Sequence, residues 1–248
     1  MREGGAAAVD TRSSAWRTAE QVAETLSRRP DIRGVLLFGS VSRRRSDADS
    51  DIDLLVMGVD PKLTRRALMS ALPAWLRRRH LSLRYFTEDE LGHLFAAGTS
   101  FAQHLRLEGT ILYDQTGRLR EIVTSPMTPT MTVDDEIAGE LERLRPLENW
   151  SQYHGNFLFC FAQLYAIGKA VVILGLLRAG IAEFDHRTLF NAYRKRYPDR
   201  GLELDTVVNL EPFSRLVSGR PNELPFSYRD AEGPGRAAVA AIRRLAAP

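Results

Sequence analysis

The chain has 248 residues, of which 44% are hydrophobic and 26% charged, a composition ordinary for one large globular domain or two small ones. Its formal net charge of +3 is too small to identify a nucleic-acid-binding protein. The single cysteine, Cys160, excludes an intrachain disulfide, and the five histidines form no ligand-spaced cluster with it that would predict a zinc site. This cysteine usage fits a reducing compartment, so we expect a cytoplasmic protein.

The first half of the chain alternates helices with short apolar strands. Residues 1–14 lack the apolar core of a signal peptide and are expected to be a disordered lead-in. A helix is predicted to begin with Ser13 or Ser14 as its N-cap, because apolar residues follow at helical spacing. Thr87 and Glu90 have the spacing of a capping box for a later helix. The predicted strands are IRGVLLF, DIDLLVMG, LSLRYFT and TILYD, with a helix broken near Pro73 between the second and the third.

The second half of the chain favours helices. Residues 124–132 contain two prolines and several threonines and predict a linker between a domain at 15–123 and a helical domain at 133–248. The apolar stretch 157–177 is long enough to span a bilayer. Lys169 near its middle would cost about 2.5–3.5 kcal/mol at a bilayer centre. We therefore predict the central helix of a bundle and no membrane partner.

Two aspartates one residue apart, Asp51 and Asp53, begin the second predicted strand. Residues i and i+2 of a strand point to the same face, so the two carboxylates are expected to lie side by side. Ionised carboxylates that close repel each other, and a divalent cation removes the repulsion. Mg²⁺ prefers oxygen ligands and is commonly held by one or two carboxylates together with substrate phosphates. The pair therefore predicts a site for a metal–nucleotide complex.

A Gly-Ser turn follows the first predicted strand, and the polar run VSRRRSDADS at 41–50 after it predicts a loop. Gly39 permits a backbone conformation or a close approach that other residues cannot make. Ser40 adds a hydroxyl donor, and free N–H groups at the start of a helix here would face an anion. Phosphate is the expected anion.

The combination of Gly39-Ser40, ten intervening residues and Asp51-Ile52-Asp53 resembles the signature of the DNA polymerase β nucleotidyltransferase superfamily. The run SDIDLLV at 50–56 is especially typical of it. Within the superfamily, the chain resembles the minimal and the aminoglycoside-type nucleotidyltransferases. Its second half is similar to the helical domains of kanamycin nucleotidyltransferases and HEPN proteins.

This resemblance implies an α+β fold, with a small mixed β-sheet flanked by helices, followed by an all-α helical bundle domain. It implies that Asp51 and Asp53 are catalytic and bind Mg²⁺, and that a nucleoside monophosphate is transferred to a hydroxyl group. ATP is the favoured donor, and the acceptor is a small molecule, a protein or an RNA. The residues expected to contact the nucleotide are Gly39, Ser40, Arg43, Ser50, Arg84 and Lys169.

The sequence departs from the family at one position. Many members carry a third carboxylate on a later strand, but Ser82 and Arg84 are the site-facing residues of LSLRYFT. Three explanations remain open: a general base supplied from elsewhere, a site with a single metal, or a domain that binds nucleotide or a partner protein without turnover. The candidate bases from elsewhere are Glu88, Asp89, Glu90, Glu140, Glu142 and Glu148.

Overall fold

A computed structural model describes residues 13–43, 51–220 and 222–248. The chain divides into two compact units, Met1–Thr130 and Met131–Pro248. The division falls inside the segment 124–132. The domain functions assigned from the sequence remain predictions.

The first unit is built on a mixed β-sheet. Within the described residues its strand order is β3-β2-β1-β4. β1 is antiparallel to β2 and to β4, and β2 is parallel to β3. This sheet with its flanking helices confirms the α+β class expected from the sequence, and each predicted strand is present. The strands are Ile32–Phe38 (β1), Ile52–Gly58 (β2), Leu81–Thr87 (β3) and Thr110–Asp114 (β4).

Some helices of the first unit begin and end where local chemistry predicts. The Ser13 side chain accepts a hydrogen bond from the Trp16 amide, and Thr87 and Glu90 form a complete capping box. Pro73 separates two short helices because it cannot continue the first. The helices are Ser14–Ser27 (α1), Gly39–Ser42 (α2), Arg65–Ala71 (α3), Ala74–Arg77 (α4), Glu88–Ala96 (α5), Ser100–Glu108 (α6) and Arg118–Thr124 (α7).

Two of these helices, α6 and α7, were not predicted, and α2 includes residues that were expected to form a loop. The remainder of that expected loop, 44–50, lies outside the described residues. The loop prediction is therefore wrong at Val41 and Ser42, which continue the helical turn begun by Gly39 and Ser40.

The central strands bury side chains on both faces of the sheet. On one face, Ile52, Leu54 and Val56 pack with residues of α1 and α3. On the other face, Leu55 and Met57 pack with residues of α5, α6 and α7. Alternate residues of β2 thus belong to different cores, as the period of two of a strand requires.

The second unit is helical and surrounds one long apolar helix. That helix, Leu158–Arg178 (α9), is the only one in the described part of the chain long and apolar enough to cross a membrane, and 61% of its most apolar window is buried inside the protein. It contacts helices on several sides, which is the arrangement predicted for the centre of a bundle. The helices are Val133–Glu142 (α8), Leu158–Arg178 (α9), His186–Arg196 (α10), Gly201–Val208 (α11), Glu211–Val217 (α12) and Glu232–Ala246 (α13), with 3₁₀ turns at Arg145–Glu148, Trp150–Tyr153 and Pro198–Arg200.

Candidate active site

Asp51 and Asp53 lie where β2 begins. Asp53 is opposite Phe38 of β1 on one side and opposite Ser82 of β3 on the other. Ile52 is buried on the α1 face of the sheet, whereas both aspartates are only partly buried. Strand alternation therefore places the two carboxylates together on the opposite face.

The turn at Gly39 is in direct contact with this acidic pair. Gly39 has φ +73°, in the left-handed region that favours glycine. A Cβ atom added to Gly39 would lie 2.6 Å from Asp53 Oδ2. Only a residue without a side chain allows the main chain of the turn to approach the carboxylate this closely. The two halves of the sequence signature, separated by ten residues, thus meet at one point.

The donor set of this pair suits Mg²⁺. Two adjacent carboxylates supply hard oxygen ligands, and the absence of a side chain at Gly39 keeps a Cβ atom from crowding Asp53 Oδ2. Within the described ranges, no group of three or more acidic, histidine or cysteine side chains is placed to hold a metal ion. Ser82 occupies the position on β3 opposite Asp53, where a third carboxylate would lie, and it is not acidic.

The register of β3 excludes one source of the missing carboxylate. Ser82 is opposite Asp53, whereas Thr87 is opposite Gly58, five residues further along both parallel strands. At roughly 3.3 Å per residue, this separates the two ends of β3 by about 16 Å. Glu88 and the two acidic residues after it follow Thr87, so the expectation that they supply the base is wrong.

The acidic residues proposed in the second unit are in ion pairs within that unit. Glu140 contacts Arg143 at 2.6 Å, and Glu142 contacts Arg145 at 2.9 Å. Glu148 pairs with Arg243. Their participation as a base remains a prediction.

Arg43, predicted to bind nucleotide, is engaged with a residue that the sequence analysis missed. Its guanidinium forms an ion pair with Glu108 at the end of α6, and both side chains are largely buried, with 16% and 12% of their surfaces exposed. His104 Nε2 lies 2.7 Å from the same carboxylate. The spacing of His104 and Glu108, four residues apart on one helix, was the only local signal of this cluster.

Arg84 lies on the same face of the sheet as Asp53, since Ser82 and Arg84 are two residues apart on β3. Its guanidinium carbon lies 4.8 Å from the ring centre of Phe101, a cation–π contact that holds an exposed positive charge on this face. Ser40 is partly exposed on the turn. Ser50, the remaining residue of this unit predicted to bind nucleotide, lies outside the described residues.

Lys169 belongs to α9 of the second unit and is partly buried. Its charge acts on Glu211, whose carboxylate is 3.0 Å from His186 Nε2. This hydrogen bond, aided by the positive charges of Arg215 and Lys169, holds the pKa of Glu211 below its ordinary value. Lys169 is therefore part of a polar cluster of the helical unit, and its predicted contact with nucleotide is a separate hypothesis.

Comparison with known families identifies the class of this site. Residues 20–117 match the family model described as polymerase beta, nucleotidyltransferase. The matched region contains both Gly39 and the Asp51–Asp53 pair, and its sheet brings them together. This match identifies residues 20–117 as a nucleotidyltransferase domain of the polymerase β type.

A solved adenyltransferase shares the fold of this chain. Spectinomycin adenyltransferase AAD(9) from Enterococcus faecialis, solved with ATP and spectinomycin, has a TM-score of 0.51 and 14% identity, over 93% of this chain and 98% of its own. A nucleotidyltransferase-like protein from Exiguobacterium sibiricum 255-15 has a TM-score of 0.34 and 16% identity, over 92% of this chain and 74% of its own. The search of curated proteins gave no match.

Proposed function

We propose that this protein is a Mg²⁺-dependent nucleotidyltransferase that transfers AMP from ATP to a hydroxyl group of an acceptor. The observation that supports this most strongly is the contact between the Gly39 turn and the Asp53 carboxylate, beside Asp51. A phosphate-binding turn and a pair of metal-binding carboxylates are useful together when the ligand is a metal–nucleotide complex.

Each residue of the site has a proposed role. Asp51 and Asp53 hold Mg²⁺, while the main chain of Gly39 and the hydroxyl of Ser40 bind the triphosphate. When bound, Mg²⁺ would neutralise phosphate charge and favour attack at the α-phosphorus. Additional phosphate contacts are proposed for Ser50 and Arg84, while the contact expected of Lys169 stays a prediction from the sequence.

The proposed reaction is a substitution at the α-phosphorus. The acceptor hydroxyl oxygen bonds to that phosphorus, the bond from the phosphorus to the oxygen bridging to the β-phosphate breaks, and pyrophosphate leaves. The hydroxyl proton passes to solvent water, directly or through a general base. The binding groups contribute by placing the attacking and the leaving oxygen on opposite sides of the phosphorus.

Among the three acceptor classes, we favour a small molecule. This choice is supported by the structural match to the spectinomycin adenyltransferase, which covers nearly the full length of this chain and was solved with ATP and spectinomycin. At 14% identity the likeness concerns the fold, so the acceptor itself is left open within this class. We propose that the protein acts in the cytoplasm, where ATP is available.

One observation favours a second function. Ser82 occupies the sheet position beside Asp53 where many relatives have a carboxylate, and its hydroxyl is a weak base. A domain with this site would bind nucleotide or a partner protein without turning the nucleotide over. An enzyme would transfer the label from ATP to an acceptor, whereas a nucleotide-binding module would bind ATP without transferring the label.

The proposed function is tested by incubating the protein with Mg²⁺, ATP labelled at the α-phosphate and a panel of acceptors that includes aminocyclitols, RNA and the protein itself. We expect transfer that Asp53→Asn abolishes. The matched control is Asp89→Asn, which removes an exposed carboxylate after the far end of β3 and is expected to leave transfer unchanged. Binding of Mg²⁺–ATP by calorimetry without transfer to any acceptor would favour the binding module instead.

A further inference from the structure

A polar cluster connects the Gly39 turn to the end of α6. Glu108 contributes twice, since its carboxylate pairs with Arg43 and its backbone carbonyl accepts a hydrogen bond from the Ser42 hydroxyl. Ser42 Oγ also lies 2.9 Å from Thr110 Oγ1 of β4. Two consecutive residues at the end of the turn are thus fixed by one residue that is 65 positions away from Arg43 in the sequence.

The cluster is shielded from water more than a surface ion pair. Glu108 and Arg43 expose 12% and 16% of their side chains, and the His104 ring is held both by Glu108 and by an edge contact with Phe38, at 5.7 Å between ring centres. A shielded ion pair with additional hydrogen bonds depends strongly on both partners, because removing one leaves the other charge poorly solvated. Such a pair fixes a conformation more firmly than exposed pairs do.

The turn is held by tertiary contacts, of which the fully buried Val41 side chain is one and the Glu108 cluster is another. It consists of four residues, and the Arg43 amide closes it by donating to the Gly39 carbonyl at 3.2 Å. An isolated turn of this length is unstable in water, so tertiary contacts must hold it. The same turn carries the positive φ that lets Gly39 contact Asp53.

We propose that Glu108 is a positioning residue for nucleotide binding, which acts by holding Arg43 and Ser42 and so keeps the Gly39–Ser42 turn in its binding conformation. This inference rests on the proposed function for the role of the turn. Arg43 then contributes through the turn, with its charge largely balanced by Glu108. Glu108 contacts the turn and neither the metal nor the reacting atoms.

Two measurements test the role of Glu108. The first is hydrogen exchange of the Arg43 amide in the nucleotide-free protein, where Glu108→Gln is expected to reduce protection about tenfold. The second is the Kd for Mg²⁺–ATP by calorimetry, where Glu108→Gln and Arg43→Gln are each expected to weaken binding about tenfold. The double variant is expected to bind no more weakly than either single variant, because both lose the same interaction. Transfer at saturating ATP is expected to stay within about threefold of the unmodified protein.

The matched control is Glu24→Gln, which breaks an exposed ion pair of α1 with Arg28 at 2.7 Å and is expected to change neither quantity. Unchanged exchange in Glu108→Gln would overturn the proposal, as would independent effects that add in the double variant. Loss of transfer at saturating ATP with an unchanged Kd would also overturn it and would make Glu108 a catalytic base. If the unmodified protein binds no ATP, the proposed function fails, and the exchange measurement still decides whether Glu108 holds the turn.

Discussion

Replacing Gly39 by alanine tests the contact on which the site depends. The new Cβ atom would lie 2.6 Å from Asp53 Oδ2, well inside the van der Waals separation of roughly 3.5 Å between such atoms. The φ of +73° would also be unfavourable for alanine. Two separable costs therefore arise at one position, a backbone cost and a displacement of the Asp53 carboxylate.

The backbone cost is about 1–2 kcal/mol for a residue with a side chain in the left-handed region. For a chain of 248 residues, about 1 kcal/mol lowers Tm by roughly 2–4 °C. The displacement of Asp53 acts on function, since a misplacement of about 1 Å in a catalytic arrangement can reduce the rate by about 100-fold. We therefore expect Gly39→Ala to lower Tm modestly and to reduce label transfer and Mg²⁺-dependent ATP binding strongly.

A matched variant separates the two costs. Gly117 has φ +78° and would place a Cβ atom in open space, so Gly117→Ala carries the backbone cost without a clash. We expect both variants to lose similar stability in thermal unfolding, while only Gly39→Ala loses ATP binding in calorimetry and transfer of labelled AMP. Equal ATP binding by the two variants would refute the idea that the turn and Asp53 must be in contact.

Three further predictions concern stability. The pKa of Glu211 lies below its ordinary value of 4.5 because of the hydrogen bond with His186, so this carboxylate stabilises the protein above that pH and loses its effect as the pH falls. Glu211→Gln is expected to flatten the decline in urea stability between about pH 5 and 3; an unchanged decline would contradict this. Thr87→Ala removes a capping box and is expected to lower the free energy of unfolding in urea by about 1 kcal/mol. A smaller loss than in the control Thr25→Ala would argue against the cap. Tyr193→Phe removes a buried hydrogen bond to the Leu245 carbonyl at 3.0 Å and is expected to lower the free energy of unfolding by about 1 kcal/mol. An unchanged Tm would contradict this.

Local patterns in the sequence were sufficient for most strands and for the acidic pair. The buried residues Ile52 and Leu54 identify a strand. Asp51 and Asp53 alternate with them and therefore share the other face, which follows from the period of two alone. The capping residues Ser13 and Thr87 were recognisable because their partners lie three residues away.

Pairings between distant segments could not be predicted. The sequence does not reveal that β3 runs parallel to β2, and so Glu88 looked close to the site although it follows the far end of its strand. Glu108 was missed because its partner Arg43 is remote in sequence.

A structure of the protein with Mn²⁺ and a non-hydrolysable ATP analogue tests the central claim most directly. The account predicts an anomalous scattering peak at roughly 2.0–2.3 Å from carboxylate oxygens of Asp51 and Asp53, with phosphate oxygens at the Gly39 turn. The same protein without the analogue serves as the reference. Clear density for the analogue elsewhere, with no metal at these two carboxylates, would contradict the account.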